Sequence, residues 1–231
     1  MEHTIRAIAR IRSDVPEKFG VPRQAGLVEE LEATVVFEPE YRNPDALRGL
    51  EGFSHIWLIW QFSVALREGW SPTVRPPRLG GNARLGVFAT RSPFRPNALG
   101  LSCVRLLGVE KDPELGSVLR VAGADLVDGT PIFDIKPYLP YADCRPDAAG
   151  GFAPDGGARL AVCYAPGVAE AVPEDKRAAL TGVLSNDPRP RYQHDPERVY
   201  RLSFAGLEIA FRADAGTVWV TEIGKTEKER T

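Results

Sequence analysis

His55-Ile56-Trp57-Leu58-Ile59-Trp60-Gln61-Phe62 is a run of β-branched and aromatic residues with Gly52 just ahead of it and no helical period. A short run of this kind, bounded by turn residues, reads as a β-strand, expected at 53–62. Comparable runs lie on either side, at 4–11, 33–37, 84–89, 104–109 and 117–124, and Gly and Pro punctuate the spaces between them. Helical periodicity is weak across all of them. The expected fold class is therefore mainly β, a sandwich or a barrel. RPPRLGGNAR (75–84) and SPFRPNALG (92–100) are too proline-rich for central strands, because proline donates no ladder hydrogen bond, and are expected as ordered surface loops.

Outward from this core, residues 143–159 turn to Gly, Ala, Asp and Pro without a run that can bury itself, which predicts a linker between an N-terminal domain at 1–142 and a smaller one at 160–231. In the latter, 174–184 has helix-compatible composition with Leu180 and Leu184 on one face, and 199–204, 207–211 and 217–223 read as a strand meander turning at 205–206 and 213–216. A small α+β domain is expected.

The 231 residues, 43% apolar and 26% charged, suffice for a sizeable core. Three cysteines, Cys103, Cys144 and Cys163, form no CxxC pair and have no histidines near them, so neither a disulfide framework nor a metal site is expected. The N-terminal segment mixes charged with apolar residues, so neither a signal peptide nor a membrane span is expected and the protein is expected to be cytoplasmic. The net charge of −2 hides a segregation: 67–105 carries seven arginines against one acid, Glu68, leaving −8 for the remainder. Such a basic segment suits a nucleic-acid partner, although a solvated face would look the same.

No GxGxxG opens a helix after a strand, and neither GxxxxGK[ST] nor HExxH occurs, so a doubly wound nucleotide-binding fold has no support. Four polar clusters remain. In KFGVPRQ (18–24), Arg23 and Gln24 stand side by side in a Pro-containing loop, able to grip a carboxylate and an adenine edge or to serve an ordinary turn. In GFSHIW (52–57), His55 is a candidate base or a structural strand residue. GVFATRSPFRPN (86–97), preceded by RPPRLGGN (75–82), holds Arg91 and Arg95 between prolines and beside Phe94, a platform for phosphate binding and base stacking. DLVDGTPIFDIKPY (125–138) sets three carboxylates and a lysine in an apolar strand-turn-strand, with Asp128-Gly129 at the turn.

Taken in order, KFGVPRQ, LEGFSHIW, RPPRLGGNARLGVFATRSPFRPN and DLVDGTPIFDIKPYLP resemble the successive signature blocks of the TsaA-like (TrmO) family, whose characterised members include enzymes that methylate threonylcarbamoyladenosine in tRNA. The resemblance covers about residues 5 to 142, and DPRPRY (187–192) is similar to the C-terminal extension of the bacterial tRNA enzymes. It implies a compact β-barrel, S-adenosyl-L-methionine as methyl donor, the tRNA anticodon stem-loop as partner, and a homodimer with the donor pocket near the subunit interface. Carried over residue by residue, the family's donor contacts fall on Arg23, Gln24, Arg91, Leu101, Asp128, Gly129 and Thr130.

Because the donor's methyl group is already activated, the chemistry needs alignment and a nucleophile rather than a metal. Asp128 is the first candidate for a base, or for a ligand of a donor hydroxyl, and His55 the second. Arg75, Arg78, Arg84 and Arg95 are expected on tRNA phosphates, with Arg189, Arg191 and Tyr192 as a second contact or as packing. Two other readings stay open: donor-dependent methylation of another RNA nucleoside or a small molecule, and a non-catalytic RNA-binding barrel.

Overall fold

A computed structural model of the protein describes residues 3–64, 69–80, 82–189 and 195–226. In chain order its strands are β1 (Ala9–Ser13), β2 (Glu32–Phe37), β3 (His55–Gln61), β4 (Thr73–Val74), β5 (Leu85–Gly86), β6 (Leu99–Asp112), β7 (Gly116–Ala122) and β8 (Pro131–Pro137). A short helix α1 (Pro140–Asp143) follows, then β9 (Ala161–Tyr164), α2 (Glu174–Ser185), β10 (Tyr200–Phe204), β11 (Leu207–Ala213) and β12 (Thr217–Lys225). The mainly β expectation is met.

Six strands pair in the ring β1-β2-β7-β6-β3-β8, closed by β8 on β1, so no sheet edge is left open. The ring is filled by alternation: Ile56, Leu58 and Trp60 of β3 point in, beside Ile11, Val35, Phe37, Val104, Leu119, Val121 and Ile132. Register shifts at Ile59/Trp60 and Leu106/Gly108 bend the strands where the ring turns. The 84–89 run is corrected: only Leu85 and Gly86 pair, with Thr73 and Val74, before a 3-10 turn at Val87–Ala89. The proline-rich stretches on either side supply too few backbone donors for a longer ladder.

The second unit is a four-stranded sheet, β10-β11-β12-β9, with β9 parallel to β12, and α2 contacts the sheet through β9. The helix ends one residue past the expected boundary, and Leu180 and Leu184 are both fully buried, each worth roughly 1.5–3 kcal/mol of apolar transfer. β9 escaped the sequence reading: a four-residue strand following a Gly-rich stretch has too short a pattern to separate from a loop.

The two cores meet through the β1–β2 connection, whose Val15, Val28 and Leu31 belong to the second cluster. The seam is also polar. Lys176 pairs with Asp14 at 2.6 Å, the Ser203 amide donates to Glu17 at 3.2 Å, and Arg159 donates to the Leu27 carbonyl at 2.8 Å.

Candidate active site

Strands β1, β3 and β7 end, and β2, β6 and β8 begin, at one mouth of the barrel, so the connections 14–31, 62–98 and 123–130 all leave from that end. This brings together residues far apart in sequence. The Arg91 guanidinium donates to Gln24 Oε1, and Gln24 Nε2 donates to the Arg23 carbonyl at 2.5 Å. Arg23 itself donates to the carbonyls of Asp187 at 2.8 Å and Arg189 at 3.3 Å, tying this loop to the turn after α2.

The Asp128-Gly129 turn closes against β1. Asp128 Oδ1 accepts from the Ser13 amide at 2.9 Å, and the Gly129 amide donates to the Ile11 carbonyl at 2.8 Å. Gly129 has φ +74° with open space where a Cβ would stand, so it meets the left-handed turn without strain and leaves its outer face clear. Thr130 is buried; its hydroxyl donates to the Val127 carbonyl at 2.7 Å and lies 3.3 Å from Ser63 Oγ. Asp128 is exposed, and its Oδ2 has no hydrogen-bond partner among the described residues.

Beneath the Gln24–Arg91 pair lies a carboxylate the sequence reading left unassigned. Trp60 Nε1 donates to Ser102 Oγ at 2.9 Å, and Ser102 Oγ donates to Asp125 Oδ1 at 2.5 Å. Burial pushes the Asp125 carboxyl above its ordinary range, opposed by the Ser102 bond and by the charge of Arg91. The Trp60 ring lies flat on Gly100, where a Cβ would sit 2.3 Å from it. The signal in the sequence was an acid next to apolar Leu126. Its burial became visible only when β6 turned Ser102 into the barrel.

Other expected residues do not face this cluster. Leu101 is 54% exposed on the outer face of β6, opposite Ile59, and so faces away from the Ser102–Asp125 bond. His55 is a correction: it begins β3, at the far end from Ser63 and Thr130, about 20 Å away at ~3.3 Å per residue. There its Nδ1 is 2.9 Å from Ser54 Oγ and its ring lies 6.2 Å from Tyr138. Six strand residues separate it from the connections that carry the other candidates.

Among the arginines expected on phosphates, Arg75 and Arg84 are exposed and Arg95 is half-buried, and none has a carboxylate partner among the described residues. Arg84 reaches the Thr73 hydroxyl at 3.3 Å. Arg78 is instead paired with Asp155 and also donates to its carbonyl at 2.6 Å. Arg189 is a second correction: 6% exposed, it donates to Asp187 at 2.7 Å and to the carbonyls of Ala213 at 2.5 Å and Asp214 at 2.8 Å. A guanidinium enclosed by acceptors has nothing left for a phosphate. Arg191 and Tyr192 lie outside the described residues. Phe94 is half-buried, whereas Trp70 and Phe88 of the same segment face solvent.

Among the described residues no cluster of three or more His, Cys, Asp or Glu side chains is arranged to hold a metal ion, and no helix is long and apolar enough to cross a membrane. The family model of the tRNA-methyltransferase O N-terminal domain matches residues 10–144, and that of the TrmO C-terminal domain residues 158–226. The chain belongs to the tRNA-methyltransferase O family. The tRNA (adenine(37)-N6)-methyltransferase of Escherichia coli (strain K12) is 45% identical over 221 residues, covering 90% of this chain and 93% of that protein. A Pseudomonas aeruginosa relative, provisionally named an S-adenosylmethionine-dependent methyltransferase, RcsF, is 41% identical over 217 residues, or 90% of this chain and 92% of its own. A crystal structure of TrmO from Pseudomonas aeruginosa superposes with a TM-score of 0.80 at 34% identity, over 97% of this chain and 99% of that one. Both parts of the chain thus match the family, and the barrel mouth lies within the N-terminal match.

Proposed function

We propose that this protein transfers a methyl group from S-adenosyl-L-methionine to N6 of threonylcarbamoyladenosine, next to the anticodon in the tRNA anticodon loop. The observation that carries this reading is the Gln24–Arg91 pair set beside the half-buried Asp125 at the barrel mouth, in a chain that matches the methyltransferase family along both parts. The residues suit the donor: a cation for its carboxylate, an amide for its adenine edge, and an unobstructed glycine turn for its hydroxyls. Bound there, the donor supplies a methyl group already activated on a sulfonium.

Arg91 and Gln24 grip the donor and hold each other. Arg23 fixes their loop against the second unit. Gly129 and Thr130 shape the turn, and Asp128 offers Oδ2. The acceptor nitrogen is flanked by a carbonyl and a purine that withdraw its lone pair, so losing its proton during attack helps, and Asp128 Oδ2 is the group assigned to receive it. Arg75, Arg84 and Arg95 contact the phosphates of the single-stranded loop, where bases are presented without opening a duplex.

The mouth-side end of the outer β3/β6 face, with Ile59 beside the exposed Leu101, is assigned to a second copy of the chain, so that Leu101 lines the partner's donor site in a homodimer. The division at 142 and 160 separates donor site from support, and the activity belongs in the cytoplasm with its tRNA.

Nucleoside mass spectrometry of threonylcarbamoylated tRNA, incubated with the protein and donor against an unmodified tRNA control, tests the reading. A methyl mass appearing only on the threonylcarbamoyladenosine nucleoside is expected. Donor binding without that product moves the acceptor to another nucleoside or a small molecule, and RNA binding with no donor affinity leaves only a binding barrel.

A further inference from the structure

We propose that Trp70 and Phe88 form a platform on which an unpaired base of the RNA substrate stacks, beside the methyl-transfer site. The inference rests on the tRNA reading above and adds to it the residues that hold a base rather than a phosphate.

The two rings are 52% and 73% exposed, with centroids 6.3 Å apart and planes 23° from parallel. Isolated exposed apolar residues are ordinary on a protein surface, but two large rings presented together are not scatter. Their backbone is fixed. The Ser71 amide donates to the Phe94 carbonyl at 3.1 Å, the Val87 amide to the Pro72 carbonyl at 3.0 Å, and β4 pairs with β5 between them. Val87 is buried and the 3-10 turn that follows is closed by Thr90, whose hydroxyl donates to the Val87 carbonyl at 2.8 Å. The turn therefore anchors one residue inward and sends the next, Phe88, into solvent. Three positions further on is Arg91, already paired with Gln24.

Charge selects the occupant. Residues 69–97 contain Arg75, Arg78, Arg84, Arg91 and Arg95 and not one Asp or Glu. Two copies of such a segment facing each other would repel, whereas a nucleic acid brings phosphates for the arginines and a π-face for the rings. Aromatic stacking is tolerant of base identity, so this platform holds a base in place and leaves the choice of nucleoside to the mouth.

The test uses the full-length protein and a fluorescently labelled, threonylcarbamoylated anticodon stem-loop RNA, read by anisotropy over a salt series, with donor affinity measured separately by calorimetry. Phe88→Ala and Trp70→Ala are each expected to weaken RNA binding roughly 5- to 150-fold, the range for losing one base–aromatic stack. Phe88→Tyr restores it, the salt dependence keeps its slope, and donor affinity stays as in the wild type. RNA binding unchanged in Phe88→Ala overturns the platform, as does an equal loss of donor affinity, which would put the ring in the donor pocket. A change of sedimentation in Phe88→Ala would assign the ring to a subunit interface and overturn it too. Wild-type protein that fails to bind the stem-loop at all overturns the tRNA reading itself, a result distinct from wild-type binding that Phe88→Ala leaves intact.

Discussion

At the floor of the barrel mouth, Trp60, Ser102 and Asp125 are hydrogen-bonded in series and the Trp60 ring packs against Gly100, while the 69–97 segment leaving the same mouth has two-residue strands, exposed rings and, in Arg75, Arg84 and Arg95, arginines without carboxylate partners among the described residues. The floor is built from ladder pairing and buried polar contacts, so a change there is felt by stability and function together. The backbone of the segment is fixed by its own bonds, so the Trp70 and Phe88 rings can face outward. The same contrast separates two arginines of similar sequence setting: Arg189, in DPRPRY, is enclosed by acceptors, and Arg95, in SPFRPN, has no carboxylate partner among the described residues.

Arg189→Ala should show the largest effect. It leaves the Asp187 carboxylate without its guanidinium partner and the Ala213 and Asp214 carbonyls without the Arg189 donor, at a cost of about 3 kcal/mol or more. Thermal unfolding would fall by several degrees with the salt slope of RNA binding unchanged. A stable variant with weaker RNA binding would return Arg189 to the RNA surface.

Arg91→Ala removes a charge-assisted contact and should weaken donor binding by about 10- to 150-fold, as follows from ~1.5–3 kcal/mol, without moving the unfolding temperature. Gly100→Ala sets a Cβ 2.3 Å from the Trp60 ring and should cost about 1–3 kcal/mol of stability by overpacking, seen in urea unfolding.

Asp125→Asn sharpens the comparison through pH. Burial holds the native carboxyl above its ordinary range, so the native state binds its proton more tightly than the unfolded chain. Wild-type stability from this group therefore falls as pH rises from about 3.9, the ordinary Asp value, through the raised native value. Stability of the Asn variant relative to wild type should climb across that window and then level off, measured by unfolding at stepped pH. A constant difference would mean that Ser102 and Arg91 fully offset the burial.

Arg95→Ala should be the mildest: unchanged unfolding, and a salt slope of RNA binding smaller by about 1. If Arg91→Ala and Arg95→Ala lose donor affinity equally, the division between donor and phosphate contacts is wrong.

The fold was legible where patterns are long. HIWLIWQ alternates because β3 has an interior and an exterior, and α2 followed its leucines to within a residue. Short pieces were not legible: the 84–89 run reads as a strand by composition and pairs over only two residues, and β9 exists because β12 lies beside it. For the site, the sequence located the loops but not the roles within them. Asp128 and Asp125 belong to one block, yet one is exposed and the other half-buried and bonded to Ser102.

By itself the sequence determined the β character of the core, the acid-free arginine segment and the family blocks, because alternation, composition and motif order are local properties of a chain. Tertiary structure alone decided that Asp125 is half-buried near Arg91, that Arg189 is spent within the fold, that His55 lies at the wrong end of β3, and that Trp70 and Phe88 present their rings together. Each of these depends on which strand ends share a mouth and which face of a strand points in. Both are fixed only when the ring of strands closes.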